Sequence, residues 1–334
     1  MADDEGMRRL AVLTALLTLG LASAASAASA ASLLPPASKV YTGVTGSKSI
    51  GPFQGQVGKH PSVFGFFTRW NGPTGYIYDA VRGSGSRLML HISTQDGYGT
   101  PEAVTPRDIA NGAGDRYLLR TNQEIAAWGQ PTYVRFLAEM NQTNNGYSAY
   151  NRDGSSRGPS HSTKAFKAAW RRATLILRGG PVSDINAKLA ALKLPPVKTY
   201  ALVLPQPQVA MLWVPQTEGT PNTHANRARA YWPGSKYVDW VGTDFYSKFP
   251  NFRDLKTFYN DFPNKPFVFG EWALWGSDDP GFVHRFFDFV NGHKRVRMLL
   301  YNQGNLSGGP FRLTRYPRST AAIRAELRKQ RFLG

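Results

Sequence analysis

The 334-residue chain contains no cysteine, which removes disulfides and thiolate metal sites together and leaves stability to the hydrophobic core. It is also short of acid, with 22 Asp and Glu against 40 Lys and Arg and a formal net charge of +18. The six histidines, His60, His91, His161, His224, His284 and His293, show no HExxH or comparable spacing, so no zinc site is expected. No GxSxG elbow, phosphate-binding loop or GxGxxG after a strand occurs. The chemistries those motifs serve are not expected, nor is a cofactor. The longest apolar core, Leu10 to Leu21, is too short for a permanent membrane span.

That core belongs to a leader pattern. After an acidic MADDEG comes MRRLAVLTALLTLGLASAASAASA, with Arg8 and Arg9 ahead of the apolar run and Ala-Ser-Ala repeats fitting a signal-peptidase site. Met7 is the better start, and the paired arginines match a twin-arginine signal weakly. The expected division is a secretory signal at 1–30, a short linker at 31–39 (ASLLPPASK) and one domain at 40–334, since about 300 residues suit one α/β barrel. The product is expected to be secreted or wall-associated, and monomeric.

Without the leader the chain keeps 38 basic and 19 acidic residues. The excess points to an anionic partner such as a cell-wall polymer, or to plain solubilising charge in an arginine-favouring genome. Nucleic acid is not expected, because the basic residues are scattered through RARAYWPGSK and RLTRYPRSTAAIRAELRKQR with no recognisable module.

Apolar runs bounded by turn residues predict eight strands: Val40 to Thr45, Val63 to Trp70, Arg87 to Thr94, Thr132 to Ala138, Val209 to Val214, Val238 to Tyr246, Phe267 to Gly270 and Arg297 to Asn302. Helical patterns fall at Arg116 to Trp128, with Asp115 as N-cap, and at His161 to Leu177, Phe252 to Asn260, Pro280 to Gly292 and Ser319 to Phe332. Strands alternating with helices in one domain of this size predict a single (β/α)8 TIM barrel.

Two strand ends carry glutamate: Glu139 in PTYVRFLAEMN and Glu271 in KPFVFGEWALW. Carboxylates on separate strands at one barrel mouth are what glycoside hydrolysis needs, one to protonate the leaving oxygen and one to attack the anomeric carbon or activate water. Solvated strand-end charges are the plainer alternative. Arg135, four residues before Glu139, points to the same face by alternation, as a partner for site carboxylates or as a structural ion pair. Tyr246 could donate to the nucleophile; Asp244 could bind a sugar hydroxyl or cap the next element. Asn141 opens a polar loop, NQTNNGYSAYN, whose amides and rings suit sugars. Trp70, Trp213, Trp272 and Trp275 stand at or past strand ends, as sugar platforms or as core. His91 reaches the cleft or stays a satisfied barrel histidine.

Taken in order, TPRDIANGAGDRYL, GQPTYVRFLAEMN, AAWRRA, MLWVPQ, YWPGSKYVDWVGTDFY and PFVFGEWALWG resemble the landmarks of glycoside hydrolase family 26, over Val40 to Leu327. That family holds retaining β-mannanases and a few β-xylanases and β-glucanases on a clan A barrel. The resemblance implies Glu139 as acid/base at the end of strand four, Glu271 as nucleophile at the end of strand seven, Arg135 near the nucleophile and Tyr246 as its hydrogen-bond donor. Two positions depart: Ala138 stands where members usually carry His, and Gln216 where they often carry Asn. The first bears on specificity and activity.

The sequence therefore predicts a secreted, metal-independent retaining β-glycosidase, endo-acting on a mannan-like or related polysaccharide. A non-catalytic polysaccharide- or wall-binding barrel derived from such an enzyme is the alternative. If the charge steers the protein to an anionic wall, binding to wall material weakens markedly between low salt and about 0.3 M salt, because screening shortens the field to several ångströms. Salt-independent retention in a wall pull-down contradicts that role.

Overall fold

The predicted strands close on themselves. In the computed structural model, which describes residues 33–304, 306 and 308–334, the barrel strands are β1 (Val40–Thr45), β2 (Val63–Arg69), β3 (Arg87–Ser93), β4 (Thr132–Phe136), β5 (Val209–Trp213), β6 (Trp240–Tyr246), β7 (Phe267–Ala273) and β8 (Val296–Asn302). Each is parallel to its neighbours, and β1 pairs with both β2 and β8. This is a (β/α)8 barrel. The leader pattern at 1–30 lies outside the described residues.

Alternation along the strands sorts the interior into layers. Tyr41, Val63, Met89, Tyr133, Ala210, Leu212, Trp240, Val268, Met298 and Leu300 form one buried cluster inside the barrel, and Leu33 joins it. Moving two residues on from Met89, Tyr133 and Leu300 reaches His91, Arg135 and Asn302. The inward layer thus turns from apolar to polar at the C-terminal mouth. The described part of the 31–39 segment is tied to the opposite end. Tyr133 Oη donates to the Leu33 carbonyl at 2.5 Å, and Arg297 Nη2 donates to the Pro35 and Pro36 carbonyls at 2.6 and 2.8 Å.

The outward residues pack under helices α1 (Gly51–Val57), α2 (Gly75–Ser84), α3 (Pro106–Ala110), α4 (Asp115–Trp128), α5 (Thr163–Arg178), α6 (Val182–Ala191), α7 (Phe252–Asp261), α8 (Pro280–Gly292) and α9 (Pro317–Leu327). Helices α1, α2, α3 and α6 escape the sequence reading. Between β5 and β6 only 3-10 turns intervene. The last predicted helix ends at Leu327, and Phe332–Leu333 instead adds a short parallel strand beside β1.

Asp115, read as an N-cap, is the first residue of α4, and Gly114 occupies the cap. Its carboxylate is engaged elsewhere. Arg172 of α5 donates Nε and Nη2 to the two Asp115 oxygens at 2.6 and 2.5 Å, and Nη1 to the Pro195 carbonyl at 2.7 Å. Both side chains are buried, so the pair fastens α4 and α5 to the loop after α6. Asp115→Ala leaves the guanidinium buried beside a missing counter-charge and is expected to cost about 3–5 kcal/mol in urea unfolding. A change below about 1 kcal/mol contradicts that account.

Candidate active site

The mouth is organised around one buried guanidinium. Arg135 Nη1 donates to Glu271 Oε1 at 2.5 Å and meets His91 Nδ1 at 2.6 Å, while Nη2 donates to Asp244 Oδ2. Burial alone would lower its pKa, but Asp244, Glu271 and Glu139 together raise it, so the cation is permanent. His91 is pushed well below the ordinary imidazole range by burial and then by Arg135. It therefore stays neutral and accepts the guanidinium hydrogen at Nδ1.

A bulge brings the second glutamate to this cation. Thr243 of β6 pairs with Phe269 of β7, but the next residue, Asp244, pairs with Glu271, leaving Gly270 as the extra residue. Such bulges re-aim the neighbouring side chain. Glycine is required here because a Cβ on residue 270 would stand 2.9 Å from Arg135 Nε and 3.1 Å from Asp244 Oδ1. β7 also runs on to Ala273, so Glu271 lies within the strand and not past its end.

Glu271 is held from three sides. Besides Arg135, Tyr246 Oη donates to Oε2, and Asn302 Nδ2 donates to the same oxygen at 2.7 Å and to Tyr246 Oη at 3.0 Å. Burial and the Glu271 carboxylate raise the Tyr246 phenol well above its usual value, which keeps it a donor. Asn302 was not among the residues singled out from sequence. Its signal is the inward parity it shares with Met298 and Leu300.

Glu139 reaches the mouth by a different route. β4 ends at Phe136, and both Leu137 (φ 44°) and Glu139 (φ 52°) take positive φ, a conformation costing a non-glycine residue about 1–3 kcal/mol and concentrated at functional sites. Simple alternation from Arg135 therefore does not carry Glu139 inward. The Glu139 amide donates to the Val214 carbonyl at 2.7 Å, and Asn145 Nδ2 donates to the Glu139 carbonyl at 2.9 Å. Its carboxylate accepts from Gln216 Nε2 at 3.1 Å and from Tyr98 Oη at 3.3 Å. Tyr98, on a loop between Gly97 and Gly99, is 67% exposed and carries no periodic signal in the sequence.

Asp244 lies among these groups. Burial, then Glu271 and Glu139, push its carboxyl well above the ordinary carboxylate range, with Arg135 opposing. Ala138 is fully buried with the barrel interior, and its carbonyl accepts from Tyr147 Oη at 2.6 Å.

The remaining expected residues divide. Asn141 is buried and braces β4 against the end of β5, donating Nδ2 to the Gln216 carbonyl and accepting from the Gln216 amide, both at 2.9 Å. It is not open to a sugar. Trp70, Trp213 and Trp272 are core residues and not platforms: Trp70 packs on Tyr117 at 4.4 Å, Trp213 on Trp232 at 4.9 Å, and Trp272 stacks on Phe286 at 4.4 Å. Only Trp275 of the four stands at the cleft, its ring 5.7 Å from that of Tyr246. No group of three or more His, Asp or Glu among the described residues is placed to hold a metal ion.

A parallel barrel with acidic side chains gathered at its C-terminal mouth defines a class, the barrels that keep their chemistry at the strand ends. Within it the fold is that of the glycoside hydrolase family 26 mannanase structures. An endo-β-1,4-mannanase from Cellulomonas fimi superposes with a TM-score of 0.61 at 13% identity, covering 88% of this chain and 72% of that one. A family 26 β-mannanase from Bacteroides ovatus gives 0.61 at 14% identity, over 89% and 90%. A mannanase from Bacillus subtilis gives 0.53 at 16% identity, over 90% and 88%. No family model matches the sequence, and no curated protein matches it.

The position of Asp244 has a measurable consequence. A carboxyl that titrates higher in the folded than in the unfolded chain gives stability that is fully present below its unfolded value, about pH 4, and is lost as pH rises through the folded value. Asp244→Asn lacks this component. In urea unfolding from about pH 7 to about pH 4, the wild type is expected to gain stability relative to Asp244→Asn as pH falls. Parallel profiles would contradict the raised titration.

Proposed function

We propose that the chain is a retaining glycoside hydrolase acting within a β-linked polysaccharide, mannan-like in linkage. The observation that carries the proposal is the opposed support of two glutamates. Glu271 is gripped by three donors, Arg135, Tyr246 and Asn302. Glu139 stands on the loop after β4, its carboxylate accepting from Gln216 and Tyr98 and hydrogen-bonded to the Asp244 carboxyl. Asp244 links Glu139 to Arg135, its carboxyl bonded to both.

In the first step a Glu271 oxygen bonds to the anomeric carbon while the glycosidic C–O bond breaks, and Glu139 gives its proton to the departing oxygen. In the second, Glu139 takes a proton from water as the water oxygen bonds to the anomeric carbon and Glu271 leaves as carboxylate. The neutral His91 and the raised Tyr246 phenol hold their hydrogens in place through both steps, so Glu139 is the group that cycles. Export and retention at an anionic wall complete the proposal, supported by the leader pattern and the basic charge.

The test uses an activated aryl β-glycoside. Glu271→Ala is expected to abolish hydrolysis, because no glycosyl-enzyme forms. Glu139→Ala is expected to accumulate that intermediate and turn over slowly, with added azide restoring turnover and yielding the β-glycosyl azide. An α-azide product refutes retention. Wild-type protein that binds polysaccharide but releases no reducing ends from any β-glycan establishes the binding barrel instead.

A further inference from the structure

The wall of the cleft on the Glu271 side is aromatic and runs outward. The ring of Tyr246, whose hydroxyl holds Glu271, lies 5.2 Å from Phe311 and 5.7 Å from Trp275, and Trp275 meets Phe249 edge-on at 5.8 Å. Phe249 is 65% exposed and Trp275 is partly so. The wall thus leads from the nucleophile to solvent. Flat rings set along a cleft suit the C–H faces of successive pyranoses.

A cation is mounted on this wall. Lys248 holds Nζ 4.7 Å over the Trp275 ring and 5.8 Å over Phe249, and no carboxylate or carbonyl among the described residues bonds it. The acidic groups nearby are turned to other partners. Glu218 accepts from Asn222 and Asn251, and Asp254 accepts from Asn251 and Arg253. Two other basic residues of the strand ends differ from Lys248 in this respect: Arg135 is taken up by Asp244 and Glu271, and Arg69 by Asp96. A neutral sugar at this wall has no use for an ammonium that no acid neutralises, whereas a sugar carrying a carboxylate does. The excess of basic over acidic residues in the whole chain favours the same kind of ligand by long-range attraction.

We propose that this wall is a subsite for a hexuronate, its ring against the Trp275–Phe249 wall and its C6 carboxylate paired with Lys248. The inference rests on the glycoside-hydrolase reading, and it narrows the substrate to an acidic, uronate-bearing β-glycan.

The probes are β-1,4-linked mannuronate and glucuronate oligosaccharides, each beside the same oligosaccharide after carboxyl reduction to its neutral mannose or glucose form. Every unit of the acidic probes carries the carboxylate, so no binding register avoids Lys248. Calorimetry on wild type and on Lys248→Gln is expected to show at least one acidic probe binding the wild type about three- to fivefold tighter than its reduced partner, the scale of an exposed charge pair. That preference disappears in Lys248→Gln and shrinks at about 0.5 M salt. The proposal is overturned if neither acidic probe is preferred, or if the preference survives in Lys248→Gln. Reducing-end release is read in parallel. A Lys248-dependent preference without cleavage supports the subsite and removes the hydrolase reading. Cleavage of the neutral oligosaccharides with no acidic preference removes the subsite and leaves the hydrolase.

Discussion

A single guanidinium in a dry barrel mouth is the constraint on which the site depends. Arg135 lies fully buried with carboxylates from β6 and β7 and a histidine from β3 around it. Without the cation, two acids would be desolvated side by side and would take up protons. Without the acids, the cation would have no compensation for leaving water. The arrangement holds only as a whole, and the backbone has been adapted to permit it. Gly270 clears space for the guanidinium, the β7 bulge turns Glu271 toward it, and β4 departs from strand geometry right after delivering it. Arg135 is taken up by Asp244 and Glu271, and Glu139 is left with Gln216, Tyr98 on a glycine-flanked loop, and the Asp244 carboxyl. One acid is thereby held by three donors inside the mouth, while the other stands at its rim, partly open to solvent.

Much of this was legible because strand parity is a strong signal. The alternation that buries Tyr133 carries Arg135 inward, and the register that buries Trp240 carries Asp244 and Tyr246 to the mouth. The same rule explains the misreadings. Trp213 sits between the inward residues Leu212 and Val214, so its indole must face outward beneath the helices, where Trp232 and Phe262 cover it. Proximity to a strand end suggested a platform; parity excluded one. Asn302 shares the inward parity of Met298 and Leu300, but an asparagine closing a strand looks in sequence like any turn residue.

What lay beyond sequence reasoning is of another kind. Glu139 owes its placement to positive φ angles, which no side-chain pattern announces. Tyr98 comes from a loop whose path is decided by tertiary contacts, Gln216 stood out only through the family resemblance, and Asn141 looked like a polar loop residue until its amide proved to be tied to Gln216. Three of the four missed helices are short or glycine-led, as in GPFQGQV and GYIYDAVRGS, so local propensity argues against them and packing against the barrel decides. Asp115 failed as a cap for a related reason: a buried arginine outcompetes a helix N-terminus for the same carboxylate.

The pairing of Phe332–Leu333 beside the first residues of β1 has a practical meaning. Val40 and Phe332 are neighbours at the floor of the barrel, the end closed by Leu33 and opposite the acidic mouth. A reporter protein, an affinity handle or a surface linker attached through either flank starts from that floor and points away from the cleft. The barrel can therefore be immobilised or joined to a second module from below while long polymers still enter from above.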